Sequence, residues 1–370
     1  MVKLIAINAA SLAIIAVLAE LIFGFWVWGD PLNGLNIFRN VTWRYSANHL
    51  YPREDAVVYR RDKWGFRGTH ADPGEIDVLV LGGSTTDERF VSEGETWTNV
   101  LERCLAAKGR PLKVANAGVS GQSTKGFVAN FDLWFSQIPN LKPKYVIAYT
   151  GINDIWALSK EAQFKDDPRR FNEEKDATSS WGVSKQRLKM KSALYRLYRT
   201  VKGQWIAWRA GMAYKLPVPG ATREIDTTNE LRRKSAGDET RLDAPTLMSA
   251  MKNRRAQIPG ELKNFENQIE AVLGRIGKLG AKPVLVTQAW ATYRVLGDRV
   301  NGHLGTFVMQ EPFHDVTRRI CKKKANLACV DLAREFVFEA GDTYDVVHTT
   351  PQGSRRVGEF LCRKLSGMLN

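Results

Sequence analysis

Cysteine and histidine are scarce in this chain, which has four cysteines and five histidines in 370 residues. No two cysteines form a Cys-x-x-Cys pair, and no histidine stands at ligand spacing from one of them. Zinc sites in proteins are usually built from such pairs. The sequence therefore predicts no metal site, and no residue pattern in it indicates any other cofactor.

Acidic residues are also scarce in one part of the chain, because none occurs from Ala177 to Arg223. From Lys160 to Arg255 there are 22 lysines and arginines against 12 aspartates and glutamates, an excess of ten within a net charge of +15. Strongly basic proteins often bind nucleic acid, but no nucleic-acid motif accompanies this segment. We therefore expect no nucleic acid as partner, and instead an acidic membrane surface or an anionic polysaccharide.

The N-terminus does contain a long apolar run. Leu4 to Trp28 carries a single charged residue, Glu20, and is long enough to cross a bilayer as a helix. The small-residue spacing of Val17–Ala19 would suit cleavage by signal peptidase. Aromatic residues at the end of the run suit the interfacial belt of an uncleaved anchor; they are Phe23, Phe25, Trp26 and Trp28. We favour a transmembrane signal anchor over residues 1–29, followed by an N-terminal extension over residues 30–71.

Strand-like and helix-like segments alternate along the rest of the sequence. The strand-like runs are "IDVLVLG", "LKVANAG", "KYVIAYTG", "AKPVLVTQ" and "LACVDL". Such β-α repetition predicts a parallel sheet with helices on both faces, whose functional residues lie on loops at the carboxyl ends of the strands. A basic helical insert at about 157–259 interrupts the alternation, and it is far longer than an ordinary connection.

The insert contains an apolar stripe at helical spacing. Seven apolar residues recur at steps of three and four, as on one face of an amphipathic helix. They are Met190, Leu194, Leu197, Val201, Trp205, Trp208 and Met212. We expect residues 185–215 to be helical and to lie near the mouth of a catalytic pocket, with the stripe packed on the catalytic domain as a lid. The alternative is a basic helix that lies on an anionic membrane surface.

Candidate catalytic residues stand on four loops. Ser84 follows the first strand in "VLVLGGSTTDERF", where two glycines mark a tight turn. The second loop, "NAGVSGQST", is rich in glycine and would let a backbone N–H approach a ligand closely. Asn153 follows the third strand in "TGIND", and Asp345 and His348 stand three residues apart in "DTYDVVHTTPQGS" before the last helix.

Taken in order, these loops resemble the sequence blocks of the SGNH hydrolases, also called GDSL-like esterases. "LGGSTT" matches the first block around Ser84, although Gly83 stands where the family usually has Asp. "SGQS" matches the second block and favours Gly121 over Gly118 as a backbone donor, while "GIND" and "DVVH" match the last two. "WGFRG" is similar to a segment that precedes the nucleophile in bacterial envelope members. The resemblance implies a flavodoxin-like three-layer α/β/α fold with a parallel sheet over residues 72–370.

The resemblance also implies a role for each loop residue. Ser84 would be the nucleophile, His348 the base that takes its proton, and Asp345 the group that holds the imidazole tautomer. The oxyanion of the tetrahedral intermediate would bind the N–H of Ser84, the N–H of Gly121 and the side-chain amide of Asn153.

The predicted function is that of a membrane-tethered serine esterase. It would remove or transfer ester-linked acyl groups, in particular O-acetyl groups, on cell-envelope or exported carbohydrate. The predicted location is the bacterial inner membrane, crossed once, with the catalytic domain in the periplasm or outside the cell. The alternatives are an esterase of the lipase or lysophospholipase type and a non-catalytic envelope scaffold, for which Gly83 in place of Asp is the support.

The four cysteines form two candidate pairs in such a fold. In a flavodoxin-like order the first and last helices pack on the same face of the sheet, so Cys104 and Cys362 are candidate neighbours. Cys321 and Cys329 flank a short basic turn between a helix and a strand. An exported protein could contain both pairs as disulfides, whereas a cytosolic protein would keep four buried thiols.

Overall fold

The computed structural model describes residues 2–27, 29, 32, 35, 37–70, 72–157, 188–189, 191–209, 222–225, 244–296 and 299–369. The chain divides into two compact units. The first comprises Met1–Ile37, Ala129–Ile138 and Pro168–Pro217, and the second comprises Phe38–Val128, Pro139–Asp167 and Val218–Asn370.

The described strands and helices include the five strands that the sequence pattern predicts and further strands that it does not. The strands are β1 (Val41–Tyr45), β2 (Val57–Arg61), β3 (Val78–Leu81), β4 (Val114–Asn116), β5 (Tyr145–Thr150), β6 (Thr222–Ile225), β7 (Lys282–Thr287), β8 (Tyr293–Leu296), β9 (Arg299–Gly302) and β10 (Ala328–Val330). The helices are α1 (Val2–Phe23), α2 (Ser84–Asp87), α3 (Trp97–Ala107), α4 (Thr124–Leu133), α5 (Ile152–Ala157), α6 (Ala193–Arg209), α7 (Ala244–Gln257), α8 (Pro259–Lys278), α9 (Leu304–Lys323), α10 (Leu332–Glu335) and α11 (Pro351–Leu365).

A five-stranded parallel sheet forms the centre of the second unit. Its order is β10-β7-β5-β3-β4, and every neighbouring pair is parallel. Numbered within this sheet the order is 2-1-3-4-5 from the β4 edge, which is the flavodoxin-like arrangement. Every residue of β3 and β5 is buried, as expected for strands of a parallel sheet that is flanked by helices. The predicted α/β fold is confirmed.

Two helices from opposite ends of the catalytic fold pack together against this sheet. Helix α3 buries Trp97, Leu101 and Leu105, which are four residues apart and therefore share one face. Helix α11 buries Val357 and Leu361 in the same apolar cluster. This packing brings α3, the first long helix of the fold, beside its last helix, α11.

Both predicted cysteine pairs are disulfides in the structure. Cys104 of α3 is bonded to Cys362 of α11, with their Cα atoms 6.1 Å apart. Cys321 and Cys329, at the turn between α9 and β10, are bonded with Cα atoms 6.2 Å apart. The first bond joins residues 258 positions apart in sequence, and the second closes a separation of only eight.

A second, smaller sheet precedes the nucleophile strand. Strands β1 and β2 are antiparallel, and β6 adds to β1 in parallel. Alternate residues face an aromatic cluster that includes Trp43, Tyr45, Tyr59 and Phe90. The sequence interpretation assigned no strands to the N-terminal extension, although "VTWRY" of β1 alternates apolar and polar residues as a half-buried strand does.

Helix α1 is the N-terminal apolar segment predicted to cross a membrane. Lys3–Phe23 is long and apolar enough for a span, and none of it is buried within the protein. A cleaved signal sequence has the same length and composition, so both interpretations of this helix stay open.

The insert helix is confirmed only for its central part. Helix α6 occupies Ala193–Arg209, while residues 185–187, Met190 and residues 210–215 of the predicted helix lie outside the described residues. The stripe on α6 is not packed as expected: its members are exposed, as Leu197 at 60% and Trp208 at 76% illustrate. Its position near a catalytic pocket stays a prediction.

The two disulfides should differ in their contribution to stability. In the chain-entropy account a disulfide stabilises more when it closes a longer loop, which gives about 5 to 6 kcal/mol for Cys104–Cys362 and about 2 to 3 kcal/mol for Cys321–Cys329. We therefore expect the Cys104→Ala/Cys362→Ala variant to lose about 3 kcal/mol more unfolding free energy than the Cys321→Ala/Cys329→Ala variant. Urea unfolding at pH 7 measures both, and an equal or reversed loss would contradict the expectation.

Candidate active site

The turn between β3 and α2 exposes Ser84 at the edge of the parallel sheet. Strand β3 ends at Leu81, and Ser84 is the first residue of α2. Side chains are excluded from the two residues between them. A Cβ at Gly82 would lie 2.0 Å from Oγ1 of Thr86, and a Cβ at Gly83 would lie 2.1 Å from Nδ2 of Asn153. Both positions therefore require glycine, because the side chains of Thr86 and Asn153 occupy the space that a Cβ would need.

The structure brings together the three residues that the sequence proposes as a triad. Nε2 of His348 lies 2.8 Å from Oγ of Ser84, and Nδ1 of His348 lies 2.6 Å from Oδ2 of Asp345. The ring of Tyr344 stacks on the imidazole with centroids 5.7 Å apart and planes 9° apart. The imidazole is therefore held at both nitrogens and on one face, and its Nε2 points at the serine hydroxyl.

Asp345 is held in its ionised form by its own loop. The second carboxylate oxygen, Oδ1, accepts the backbone N–H of Val347 at 2.8 Å and of His348 at 2.7 Å. Burial alone would raise the pKa of Asp345, but the hydrogen bond and charge of His348 and the two backbone donors hold it below its usual value. A carboxylate in this state fixes the proton on Nδ1 of the imidazole and leaves Nε2 free to accept one.

Asn153 lies directly beside the nucleophile turn. Its Nδ2 donates to the carbonyl of Gln122 at 2.9 Å, which orients the amide. Asn153 is the second residue of α5, immediately after β5, and Gly83 faces its amide nitrogen. One amide hydrogen is engaged by Gln122 and the other, within the described residues, has no protein partner.

The two glycine candidates of the second loop differ in their hydrogen bonds. The N–H of Gly118 already donates to Oδ1 of Asn116 at 2.9 Å. Gly121 has a left-handed φ of +80°, which favours glycine, and its N–H donates to no other group of the described chain. Of the two N–H groups, that of Gly118 is therefore engaged within the described chain and that of Gly121 is not.

Asp154, the last residue of "GIND", is a buried carboxylate that accepts hydrogen bonds from two of the loops around the site. Its carboxylate accepts the N–H and the hydroxyl of Thr124 at 2.9 and 2.6 Å, and the N–H of Gly151 at 3.2 Å. Burial raises the pKa of Asp154 above its usual value, although these hydrogen bonds oppose that rise. Asp154 therefore joins the start of α4 to the loop that presents Asn153.

A buried ion pair supports the nucleophile turn, and the sequence interpretation missed it. Nη2 of Arg61 donates to Oδ1 of Asp87 at 2.7 Å, and the hydroxyl of Tyr59 donates to the same oxygen at 2.8 Å. Burial would raise the pKa of Asp87, but the charges of Arg61 and Arg67 hold it below its usual value. Arg61 also donates to the carbonyl of Gly118, so one guanidinium joins the first and second loops.

Arg67 holds the backbone that follows the nucleophile helix. It donates to the carbonyls of Asp87 at 2.8 Å, Glu88 at 3.1 Å and Val91 at 2.5 Å. Arg67 is the arginine of "WGFRG", the segment singled out for its resemblance, so the sequence contained a signal for its importance although not for its contacts. Arg61 had no such signal.

Glu88 is a buried carboxylate that connects the nucleophile turn to the histidine loop. Its N–H donates to the carbonyl of Ser84 at 2.8 Å. Its carboxylate accepts from the hydroxyl of Thr349 at 2.6 Å, the hydroxyl of Ser354 and the N–H of Trp97 at 2.7 Å. Burial raises the pKa of Glu88 to about 7 although these hydrogen bonds act in the opposite direction.

No metal-binding cluster is formed by the residues that the structure describes, since no group of three or more histidine, cysteine, aspartate or glutamate side chains could hold an ion there.

Comparison with known families identifies one match. The model of the GDSL-like lipase/acylhydrolase family matches residues 80–356. This segment begins within β3 and ends within α11, so it includes every candidate residue of the site. No curated protein matches the sequence.

Several solved structures are similar to the chain. LAE5, an α/β hydrolase enzyme from the metagenome of Lake Arreo in Spain, is 15% identical with a TM-score of 0.40, and the match covers 79% of this chain and 95% of that chain. The acetyl xylan esterase AlAXEase is 13% identical with a TM-score of 0.40, covering 79% of this chain and 100% of that chain. A variant of Axe2, an acetyl xylan esterase from Geobacillus stearothermophilus, is 13% identical with a TM-score of 0.40, covering 80% of this chain and 97% of that chain.

Glu88 should make stability depend on pH. Its folded-state pKa of about 7 exceeds the ordinary 4.5, so the folded protein binds this proton more tightly than the unfolded chain does. The resulting stabilisation is fully present below pH 4.5 and is lost as the pH rises through 7. Since one pKa unit corresponds to about 1.4 kcal/mol, the wild type should lose about 3 kcal/mol relative to Glu88→Gln over this interval. Urea unfolding of both proteins from pH 4.5 to 8 measures the difference, and parallel curves would contradict it.

Proposed function

Because the chain belongs to the GDSL-like lipase/acylhydrolase family, we propose that it hydrolyses acyl esters with Ser84, His348 and Asp345 as its catalytic triad. The observation that carries this proposal is the continuous hydrogen-bonded line from Oγ of Ser84 through the imidazole to Asp345, with distances of 2.8 and 2.6 Å. Residues 264 positions apart in sequence meet at this line.

Acylation would begin with the serine hydroxyl. Oγ of Ser84 bonds to the ester carbonyl carbon while its proton passes to Nε2 of His348. The bond from that carbon to the leaving alcohol oxygen then breaks, and the oxygen takes the proton from Nε2. Asp345 stays ionised throughout and stabilises the imidazolium that forms between the two transfers.

Deacylation would repeat these proton transfers with a second hydroxyl compound as the attacking group. Water loses a proton to Nε2 of His348 as its oxygen bonds to the acyl carbon. The bond from that carbon to Oγ of Ser84 then breaks, and Oγ takes the proton back from Nε2. If the hydroxyl of a carbohydrate took the place of water, the same steps would transfer the acyl group. Hydrolysis and transfer differ only in this attacking group.

The negative charge on the carbonyl oxygen would be stabilised by three donors. These are the N–H of Ser84, the N–H of Gly121 and the side-chain amide of Asn153. The bond from Asn153 to the carbonyl of Gln122 supports this assignment because it fixes the amide before substrate binds.

For the substrate we propose O-acetyl groups on cell-envelope or exported carbohydrate. The resemblance of the sequence blocks, with "WGFRG" upstream, to anchored envelope members supports this choice. A lipase or lysophospholipase activity is the second candidate, and the exposed apolar side chains of α6 favour it. Release of acetate from an acetylated polysaccharide, compared with release of fatty acid from a lysophospholipid, decides between them.

For the location we propose a single span of the bacterial inner membrane by α1, with the remainder of the chain in the periplasm or outside the cell. The two disulfides support an oxidising compartment. The excess of basic residues in the insert supports contact with an anionic surface. Digestion by protease added to spheroplasts tests the orientation, and protection of the domain would contradict it.

Substitution of the site residues should impair different steps. Ser84→Ala should abolish turnover and labelling by a fluorophosphonate, because it removes the nucleophile. Asp345→Asn should lower kcat by about ten-thousand-fold, through the wrong imidazole tautomer, as in the serine proteases. Asn153→Ala should lower kcat by about a hundred- to a thousand-fold with a smaller effect on KM. Steady-state kinetics on a simple acetyl ester measure all three.

An active Ser84→Ala variant would overturn the nucleophile assignment. Folded wild-type protein that neither turns over esters nor reacts with a fluorophosphonate would favour the non-catalytic scaffold instead. Unfolding curves for each variant show whether a lost activity reflects a lost fold, and little loss of stability is expected for Ser84→Ala, since a half-buried hydroxyl contributes little packing.

A side chain at Gly83, where the family usually has Asp, should lower activity by displacing the amide of Asn153. A methyl group at this position would lie 2.1 Å from the Asn153 amide nitrogen and must displace it. Gly83→Ala should therefore lower kcat, and combining it with Asn153→Ala should add little further loss. Gly274→Ala in α8, where a Cβ meets nothing within 4 Å, is the matched control and should keep wild-type kinetics. Fully additive losses in the double variant would contradict this coupling.

A further inference from the structure

Helix α6 of the insert begins at the carboxylate of Glu20, near the end of α1. The carboxylate accepts the hydroxyl of Ser192 at 2.6 Å and the backbone N–H groups of Ala193 and Leu194 at 2.9 and 3.1 Å. The first N–H groups of a helix have no partner within the helix and carry partial positive charge. The one charged residue of the apolar N-terminal run is thus used as the cap of a second helix.

Three further contacts join the start of α6 to the end of the apolar segment. The N–H of Phe25 donates to the carbonyl of Lys191 at 2.8 Å. Arg196 donates to the carbonyl of Phe23, the last residue of α1, and its guanidinium lies 3.9 Å from the centroid of the Phe25 ring. The start of α6 is therefore fixed where the apolar segment ends, beside the aromatic residues expected at a membrane interface.

Helix α6 exposes its apolar face, whereas a helix packed on a protein core buries that face. Its apolar face is exposed, and the exposed fractions are 60% for Leu197, 57% for Tyr198, 56% for Val201, 52% for Trp205 and 76% for Trp208. Its other face, with Arg196, Arg199 and Thr200, is half-buried, and Gly203 is buried. Soluble proteins seldom expose such a continuous apolar face unless it contacts a partner.

The charges next to this apolar face are all of one sign. Helix α6 contains no acidic residue, and Lys202 and Arg209 are exposed at the margin of the apolar face. The guanidinium of Arg209 lies 4.8 Å from the centroid of the Trp205 ring. Tryptophan and basic side chains arranged along an amphipathic helix are the features of helices that lie in the headgroup region of an anionic membrane.

From these contacts we propose that α6 lies along the surface of the membrane that α1 enters, with its apolar face among the upper acyl chains and its basic side chains at anionic headgroups. The occupant of this face is the lipid itself, because α6 is fixed at its first turn to the end of the membrane helix. The inference rests on the proposed anchoring by α1 and is independent of the ester chemistry.

Depth-dependent quenching tests the position of α6. The four native cysteines are in disulfides, so an introduced cysteine is the only thiol to label. Full-length Trp208→Cys and Val201→Cys, labelled with an environment-sensitive fluorophore, are reconstituted into vesicles of phosphatidylglycerol and phosphatidylcholine. We expect stronger quenching by lipids with a nitroxide near the headgroup than by lipids with a nitroxide at the chain end. Thr200→Cys, next to Val201 on the opposite face, is the matched control and should lose this quenching.

Equal quenching at residues 200 and 208, or none at residue 208 in protein that is bound to vesicles, would overturn the proposal. Such a result would mean that the apolar face is covered by protein. Replacing phosphatidylglycerol by phosphatidylcholine, or raising the salt to 1 M, where the Debye length is about 3 Å, should weaken the quenching if anionic headgroups contribute. No response to either change would overturn the headgroup part of the proposal.

Glu20→Ala tests the cap, with Asn8→Ala in the same helix as its control. Loss of quenching at residue 208 in the Glu20 variant alone, with the protein still membrane-bound, is expected. Full quenching in the Glu20 variant would overturn the role of the cap. Mature protein that lacks α1 by mass spectrometry would overturn both the anchoring and this inference, whereas kinetics on a soluble acetyl ester report on the triad separately.

Discussion

The buried carboxylate of Glu88 is the point at which the two halves of the site are joined. Its backbone continues the nucleophile turn from Ser84, and its side chain holds Thr349, the residue after His348. The same carboxylate receives the first N–H of α3 at Trp97 and the hydroxyl of Ser354 in α11. Because α3 and α11 are also joined by the Cys104–Cys362 disulfide, the loops that meet at the triad are attached to one covalently linked pair of helices.

Two buried arginines, Arg61 and Arg67, support the nucleophile turn, and their charges are compensated by partners outside the triad. A buried arginine is costly unless it is paired and fully hydrogen-bonded. Arg61 meets that condition by pairing with Asp87, and Arg67 by pairing with Glu93 and donating to several backbone carbonyls. The small sheet supplies Arg61, and the turn after it supplies Arg67. The N-terminal strands are thus part of the support for the nucleophile turn, although they contribute no reacting group.

The Gly83 position shows how a departure from a family pattern can be explained by packing. A side chain there would collide with the amide of Asn153, so glycine and the close approach of that amide belong together. The same amide is oriented by Gln122 of the second loop. The first three loops therefore constrain one another: Asn153 of the third loop packs against Gly83 of the first, where no larger residue fits, and donates to Gln122 of the second. In the N-terminal segment, the carboxylate of Glu20 also joins distant parts of the chain, because it caps the start of α6.

The sequence by itself indicated the five strands of the parallel sheet and the four loops that carry the candidate site residues, and its resemblance to the SGNH hydrolases implied the strand order and made both cysteine pairs candidates. The strands and the loops follow from local information: apolar runs define strands, the glycines and polar residues after them define loops, and parallel strands bring such loops to one edge. The contacts of Glu88, Arg61 and Asp87, and the outward direction of the apolar face of α6, were decided only by the tertiary structure. A buried ionisable residue looks like a surface residue until its partners are known, because those partners are distant in sequence and meet only when the chain folds.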